Sequence, residues 1–125
     1  MKTFIITGAS KGLGAAIAKG CLQTSDHCIL VSRTAHPEMQ RMADRSGTKL
    51  TFISLDLNET EKLPSLVNDI LAAVDDTSDI YFINNAGVIE PIKPLGKLGI
   101  VNLETRMRVN FMAPIVLADE FVKQT

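Results

Sequence analysis

Short apolar runs alternate along the chain with segments whose apolar residues recur at helical spacing. The first run, Lys2 to Thr7, is rich in β-branched and aromatic residues and ends at Gly8, which is typical of a buried strand leading into a turn. Similar runs at Cys28 to Ser32, Lys49 to Asp56 and Ile80 to Ile83 indicate three more strands. The pattern therefore predicts four short strands.

The segments between these runs have the pattern of amphipathic helices. The first follows the glycine-rich loop and ends at the polar "TSD". The second, "EMQRMADRS", has Pro37 at its predicted first position and Gly47 just past its end, the usual asymmetry of helix termini. Asn58 and Glu61 resemble a capping box before the third helix, and a last helix is predicted from about Asn102.

The order βαβαβαβ followed by α predicts the fold class. Such alternation favours an α/β fold, a doubly wound parallel sheet with helices on both faces. A chain of 125 residues is a reasonable size for one domain, although it need not be a complete one.

Composition narrows the classes of function. The chain is 46% hydrophobic and 22% charged, as expected of a globular protein, and its net charge of -1 predicts little attraction to nucleic acid or to anionic membranes. The apolar run at the N-terminus is too short for a signal-peptide core or a membrane span, so we predict a cytoplasmic protein. Cys21 and Cys28 lie in apolar surroundings without metal-ligand spacing and are predicted to be buried thiols.

The loop "TGASKGLG" carries the first candidate chemistry. It places Gly8, Gly12 and Gly14 between a strand and a helix, where glycines let the backbone approach a ligand and the helix N-terminus attracts phosphate. The spacing is GxxxGxG and not the more familiar GxGxxG, so a turn that only needs flexible residues is the alternative.

Five stretches in order resemble the short-chain dehydrogenase/reductase family: "TGASKGLG", "SRT", "LDL", "NNAG" and "RVNFMAP". The resemblance implies a Rossmann-like fold and hydride transfer between NAD(P) and a carbonyl or alcohol. It covers nearly the whole chain. A typical member is about twice as long, so the chain resembles the N-terminal half, with four strands plus helices and without the C-terminal catalytic part.

The residues after the second strand predict which nucleotide is preferred. NAD-preferring relatives usually carry an acid there, whereas the guanidinium of Arg33 suits the 2′-phosphate of NADP. Lys11 adds a second positive charge, and Ser10, Ser32 and Thr34 supply hydroxyl donors. We therefore predict NADP(H), although both basic residues could instead be solvated loop charges.

The resemblance also implies contacts with the rest of the cofactor. Asp56 would accept a hydrogen bond from the adenine amino group, with Leu57 beside the ring, while Asn85 could be purely structural. The complete predicted set is Gly8, Ser10, Lys11, Gly12, Leu13, Gly14, Ser32, Arg33, Thr34, Asp56, Leu57, Asn84, Ala86 and Gly87.

Pro114 lies within the last predicted helix, where a proline costs about 3 kcal/mol. In an α-helix it would leave the carbonyl of Asn110 without its backbone donor. By resemblance Asn110 is the catalytic asparagine, whose carbonyl holds a water that links the catalytic lysine to solvent. The alternatives are a kink without function, or a proline so early in the helix that nothing is lost.

The family's catalytic serine and YxxxK pair lie beyond the asparagine helix, and this chain lacks them. Its only tyrosine, Tyr81, is in the fourth strand and is followed at the fourth position by Asn85. We therefore expect the parent protein to be an NADPH-dependent carbonyl reductase to which this chain supplies the cofactor half. The alternatives are a non-catalytic NADP-binding or regulatory module and a purely structural protein.

The loop "NNAGVIEPIKPLGKLG" resembles the benzil reductase and sepiapterin reductase branch, which implies a ketone, diketone or pterin-like substrate. In relatives the last helix often forms a dimer interface, so the resemblance also implies a homo-oligomer.

Overall fold

The computed structural model describes all 125 residues, Met1–Thr125. The chain forms two compact units. The first unit contains Met1–Asp56 and Ile70–Ala86, and the second contains Leu57–Asp69 and Gly87–Thr125.

The first unit is built around a parallel sheet of four strands. The strands are β1 (Lys2–Thr7), β2 (His27–Ser32), β3 (Lys49–Ser54) and β4 (Asp79–Ile83). They lie in the order β3-β2-β1-β4, and each neighbouring pair is parallel. The predicted Rossmann-like sheet is confirmed, with strand ends within two residues of those expected from the sequence.

Helices follow each strand, as the alternating pattern predicts. They are α1 (Gly12–Thr24), α2 (Met39–Ser46), a 3-10 turn (Thr60–Lys62), α3 (Leu63–Ala73), α4 (Gly99–Met107), a π-helical turn (Arg108–Met112) and α5 (Ala113–Gln124). No helix combines the length and the apolar character that crossing a membrane requires.

The start of α2 differs from the prediction. Pro37 lies two residues before Met39 and outside the helix, so its predicted place at the first position is wrong. A local turn comes before the helix. In this turn the N–H of Met39 donates to the carbonyl of His36, and the N–H of Glu38 donates to Nδ1 of the His36 ring. The predicted end at Gly47 is confirmed, with the left-handed φ of 69° that favours glycine.

The start of α3 also differs from the prediction. Asn58 and Glu61 do not begin an α-helix, because a 3-10 turn comes first and α3 starts at Leu63. Pro64 explains the delay, since it has no N–H to donate to the carbonyl of Thr60 in an α-helical turn. In the first turn of α3 the missing donor costs little.

The core of the first unit lies between the sheet and the helices α1 and α2. Its buried side chains include Ile6, Ala18, Leu22, Leu30 and Ala43. Cys21 and Cys28 belong to the same cluster and are not disulfide-bonded, so the prediction of buried thiols is confirmed. Burial raises the pKa of Cys28 to about 11, which keeps this thiol protonated and unreactive at neutral pH.

The opposite face of β2 buries a polar pair. His27 is 3% exposed, and its Nε2 lies 2.8 Å from the hydroxyl of Thr51 on β3. Burial, and secondarily the positive charge of Lys49, lower the pKa of His27. The folded protein therefore favours the neutral ring.

We predict that His27 makes stability depend on pH. Its pKa is lower in the folded than in the unfolded chain, so the unfolded chain binds more protons below about pH 6.5. The contribution is complete above that pH and is lost as the pH falls. Urea unfolding from pH 7.5 to 5 should give a declining free energy of unfolding, and His27→Gln, which can still bond Thr51, should flatten the decline. An equally steep decline in His27→Gln would contradict this assignment.

Candidate functional site

The carboxyl ends of the four parallel strands lie along one edge of the sheet. β1 is central, with β2 and β3 on one side and β4 on the other, so the direction of strand order changes beside β1. Open α/β sheets bind ligands at such a switch point. The loops that begin at Gly8, Arg33 and Asn84 all leave this edge.

Hydrogen bonds from Asn85 join the ends of β1 and β4. Its side-chain amide donates to the carbonyls of Thr7 and Gly8, both at 3.2 Å. The Thr7 hydroxyl accepts the N–H groups of Asn85 and Ala86 at 3.0 and 3.1 Å. Asn85 therefore has a structural part in the site.

Two glycines permit the close packing of the loop after β1. A Cβ on Gly14 would lie 2.0 Å from the carbonyl oxygen of Gly8 and 2.4 Å from the Asn85 amide nitrogen. A Cβ on Gly8 would lie 2.8 Å from the Cα of Ala86, and Gly8 has a φ of 67°. Both positions exclude a side chain, so these glycines are more than flexible turn residues.

The N-terminus of α1 opens onto this loop. Lys11 precedes the helix in an extended conformation, and no side chain caps the helix end. Leu13 in the first turn is 71% exposed. The first amide groups of Gly12, Leu13 and Gly14 therefore have no side-chain acceptor from the protein, an arrangement that suits an anion.

The loops after β1 and β2 meet at a half-open pocket of about 120 Å³. Ser10 reaches the pocket from the first loop and Ser32 from the second. The remaining lining residues are Ala9, Leu30, Ala35, His36, Met39, Gln40, Leu50 and Phe52. No Asp or Glu lines the pocket, so no side chain in its wall carries a negative charge.

Arg33 follows Ser32 and is exposed. Its guanidinium pairs with no carboxylate, and the same holds for the exposed Lys11. The backbone of this loop is held in place, because Ser54 Oγ donates to the Arg33 carbonyl at 3.1 Å and Ser32 Oγ to the Thr34 carbonyl at 2.6 Å. The exposed guanidinium of Arg33 is therefore attached to a backbone that hydrogen bonds hold in place.

The other predicted cofactor residues differ in exposure. Asp56 is half-buried, Asn84 is exposed and Ala86 is half-buried, all in the first unit. Leu57 belongs to the second unit and is 6% exposed, so little of its side chain is accessible. Gly87, also in the second unit, is exposed.

Asn110 lies in the π-helical turn of the second unit. Its side chain forms two hydrogen bonds of 2.7 Å with the backbone of Val88, accepting from the N–H and donating to the carbonyl. The amide thus pairs with Val88 as a neighbouring strand would. The whole side chain is used to hold the loop after β4.

The predicted last helix with an internal proline is confirmed, because the chain is helical without a gap from Gly99 to Gln124, but a π turn that was not predicted precedes Pro114. The N–H of Ala113 bonds the carbonyl of Arg108, one residue further back than in an α-helix, and α5 then begins with Pro114 in its first turn. The extra residue in the π turn lets the helix accommodate the proline ring without a break. Such π turns frequently occur at functional sites.

Arg106 is a residue that the sequence analysis missed. Its Nη2 donates to the carbonyl of Ile89 at 2.7 Å and to that of Pro91. Arg106 and Asn110 lie four residues apart and both bind the backbone of the segment 88–91. The sequence indicates only that Arg106 and Asn110 lie on the same face of a helix, and it does not indicate which loop this face contacts.

Tyr81 lies in β4, as predicted. Its ring stacks on that of Phe4 in β1, with centroids 4.8 Å apart. This contact gives the only tyrosine of the chain a packing role.

Comparison with known proteins identifies similar chains. Residues 2–125 match the short chain dehydrogenase family. The benzil reductase ((S)-benzoin forming) of Bacillus cereus is 36% identical over 100% of this chain and 51% of its own length.

Solved structures are similar over the same extent. A short-chain dehydrogenase/reductase from Burkholderia vietnamiensis has a TM-score of 0.84 and 32% identity, covering 97% of this chain and 56% of its own. A metagenomic short-chain oxidoreductase in complex with NADP has a TM-score of 0.86 and 27% identity, covering 98% and 55%. The chain therefore spans about half the length of the proteins it matches.

We predict that Gly14→Ala destabilises the first unit, because the added methyl group meets the Gly8 carbonyl. The free energy of unfolding should fall by about 1 to 3 kcal/mol, the usual cost of overpacking. Gly20→Ala, in the same helix and with open space around it, is the matched control and should raise stability by about 0.4 to 1 kcal/mol. Urea unfolding measures both, and equal stability of the two variants would contradict the close approach.

We predict that Asn110→Leu releases Val88, since two hydrogen bonds are lost. The free energy of unfolding should fall by about 1 to 2 kcal/mol, and the Val88 amide should exchange its hydrogen faster. Asn68→Leu, at an exposed position of α3, is the control and should leave Val88 unchanged. Unchanged Val88 exchange in Asn110→Leu would show that the loop is held by other contacts.

Proposed function

The chain belongs to the short-chain dehydrogenase family, and on that premise we propose that its parent protein is an NADPH-dependent carbonyl reductase. Members of this family are oxidoreductases that use nicotinamide cofactors. In this proposal the chain is the N-terminal, cofactor-binding part of a single Rossmann-like domain. The bound dinucleotide supplies the hydride that reduces a ketone or diketone, and the residues of this chain hold and orient it.

The observation that carries the proposal is the meeting of the loops after β1 and β2 beside an unpaired guanidinium. Ser10 and Ser32 line one pocket, and Arg33 directly follows Ser32. A 2′-phosphate needs a cation and hydroxyl donors, and an acid in their place would select the ribose hydroxyls of NAD. The absence of a carboxylate from the pocket wall therefore supports NADP(H).

The glycine loop fits the pyrophosphate. Any side chain at Gly14 would push the loop away from the start of α1, so the tight packing keeps the amide groups at the helix end accessible to phosphate oxygens. Lys11 adds a positive charge there. We propose that Asp56 binds the adenine and that Asn84, Ala86 and Gly87 contact the ribose and nicotinamide, with Leu57 limited by its burial to an edge contact.

We propose a proton-relay role for the backbone of Asn110. Its side-chain amide is occupied by Val88, so the group left for a water is the carbonyl. Pro114 supports this assignment, because the α-helical donor to the Asn110 carbonyl would be the N–H that proline lacks. The side chain would then fix the loop while the carbonyl serves the reaction.

The proposed substrate class is a ketone or diketone of the benzil or pterin type. Its support is the loop 84–99 and the relatives named benzil reductases, 36% identical in Bacillus cereus and in Bacillus subtilis strain 168.

We further propose a cytoplasmic homo-oligomer. Exposed apolar side chains along α4 to α5, namely Ile100, Val101, Met107, Phe111 and Ile115, support an interface there.

The alternative is a non-catalytic NADP-binding or regulatory module. One observation favours it for the chain by itself, since its only tyrosine lies in β4 with its ring stacked on Phe4 and has no lysine four positions later. Turnover of NADPH with a diketone such as benzil, measured on the parent protein, separates the two proposals. Steady oxidation of NADPH above the rate in buffer supports the reductase, and binding without oxidation supports the module.

We predict that Arg33→Gln lowers the affinity for NADPH about tenfold to a hundredfold and leaves NADH binding unchanged. A hydrogen bond to a charged group contributes roughly 1.5 to 3 kcal/mol, and only NADPH offers the 2′-phosphate. Fluorescence titration of both nucleotides measures the effect, without interference because the chain has no tryptophan.

Arg45→Gln is the matched control, because Arg45 is an exposed arginine in the last turn of α2 and does not line the pocket of Ser10 and Ser32. Its NADPH affinity should equal that of the wild type. An equal loss of NADPH affinity in both variants would indicate a general charge effect and contradict the assignment of Arg33.

A further inference from the structure

His36 lines the pocket of Ser10 and Ser32, although it lies beyond the motif residues of that loop. Its Nδ1 accepts a hydrogen bond from the N–H of Glu38 at 3.2 Å. An imidazole that accepts through Nδ1 carries its hydrogen on Nε2 when neutral. His36 therefore has a defined tautomer and an Nε2–H donor that bonds no other group of the chain.

The other polar groups of the pocket are largely engaged. Ser32 donates to the carbonyl of Thr34, and the amide of Gln40 donates to Asp44. The side-chain donor groups of the pocket that make no hydrogen bond to the chain are the hydroxyl of Ser10 and Nε2 of His36. Both belong to the wall of one pocket.

The rest of the pocket wall is apolar. Leu30, Leu50 and Phe52 of the sheet and Met39 of α2 contribute to it. Hydrogen bonds to an anion gain strength where the surroundings have low polarity. The volume of about 120 Å³ is several times the share of about 30 Å³ that one water molecule has in the liquid, which leaves room for a phosphate group.

We propose that His36 is a specificity-determining residue, whose Nε2–H donates to the 2′-phosphate of NADP in this pocket. The inference rests on the proposed NADP binding and adds a recognition group that the loop motif does not contain. Arg33 then supplies charge from the exposed side, while Ser10 and His36 supply directed donors from the wall.

Two substitutions test the roles of the two ring nitrogens of His36 separately. His36→Asn retains an acceptor near Nδ1, and thus the bond from Glu38, but it removes the distal donor. His36→Gln places an amide donor near the position of Nε2. The probes are adenosine 2′,5′-bisphosphate and 5′-AMP, which differ only in the 2′-phosphate, titrated calorimetrically into the full chain.

We expect His36→Asn to bind the bisphosphate about tenfold more weakly than the wild type, with 5′-AMP unchanged. His36→Gln should recover most of the lost affinity. A merely structural role of His36 would lower the affinity for both probes equally, and that result would overturn the proposal. Unchanged binding of the bisphosphate by His36→Asn would overturn it as well.

Arg33→Gln distinguishes failure of this inference from failure of the proposed function. If Arg33→Gln weakens binding of the bisphosphate and His36→Asn does not, NADP selectivity stands and the role of His36 is wrong. If the wild type shows no preference for the bisphosphate over 5′-AMP, both the proposed NADP selectivity and the role of His36 are wrong.

Discussion

The hydrogen bonds between Asn85 and the end of β1 are the constraint on which the candidate site depends. One amide binds the carbonyls of Thr7 and Gly8, and the buried hydroxyl of Thr7 accepts two backbone N–H groups in return. Four polar groups at the ends of two strands are thereby satisfied without water. Because Gly14 packs against the same atoms, the start of α1 is fixed relative to the sheet.

This rigid edge explains why the site can be assembled largely from backbone and short side chains. The sheet places the loops after β1 and β2 side by side, so two serines and His36 share one pocket although they are up to 26 positions apart in the sequence. The guanidinium of Arg33 remains exposed on a loop whose carbonyls are already bonded. Binding a phosphate there would require little reordering of the protein, which favours affinity.

In the second unit, side chains hold a loop that pairs with no strand. Asn110 and Arg106, four residues apart on adjoining helical segments, bind backbone groups of Val88, Ile89 and Pro91. Side chains supply the hydrogen bonds that a neighbouring strand would otherwise provide. The π turn accommodates Pro114 at the start of α5, so the proline causes no break in the helical path.

The sequence by itself determined the order of strands and helices, the parallel sheet, the glycine loop and the family. These follow from local periodicity, turn chemistry and motif order, which depend on neighbouring residues. It predicted the end of α2 at Gly47 but misplaced Pro37, because a turn closed by bonds to His36 comes before the first residue of the helix. Only the tertiary structure decided the partners of Asn85, Asn110 and Arg106 and the place of His36 in the pocket. The groups that these residues contact belong to other loops of the chain. Packing of the whole unit, and not spacing along the chain, decides which loops lie next to each other.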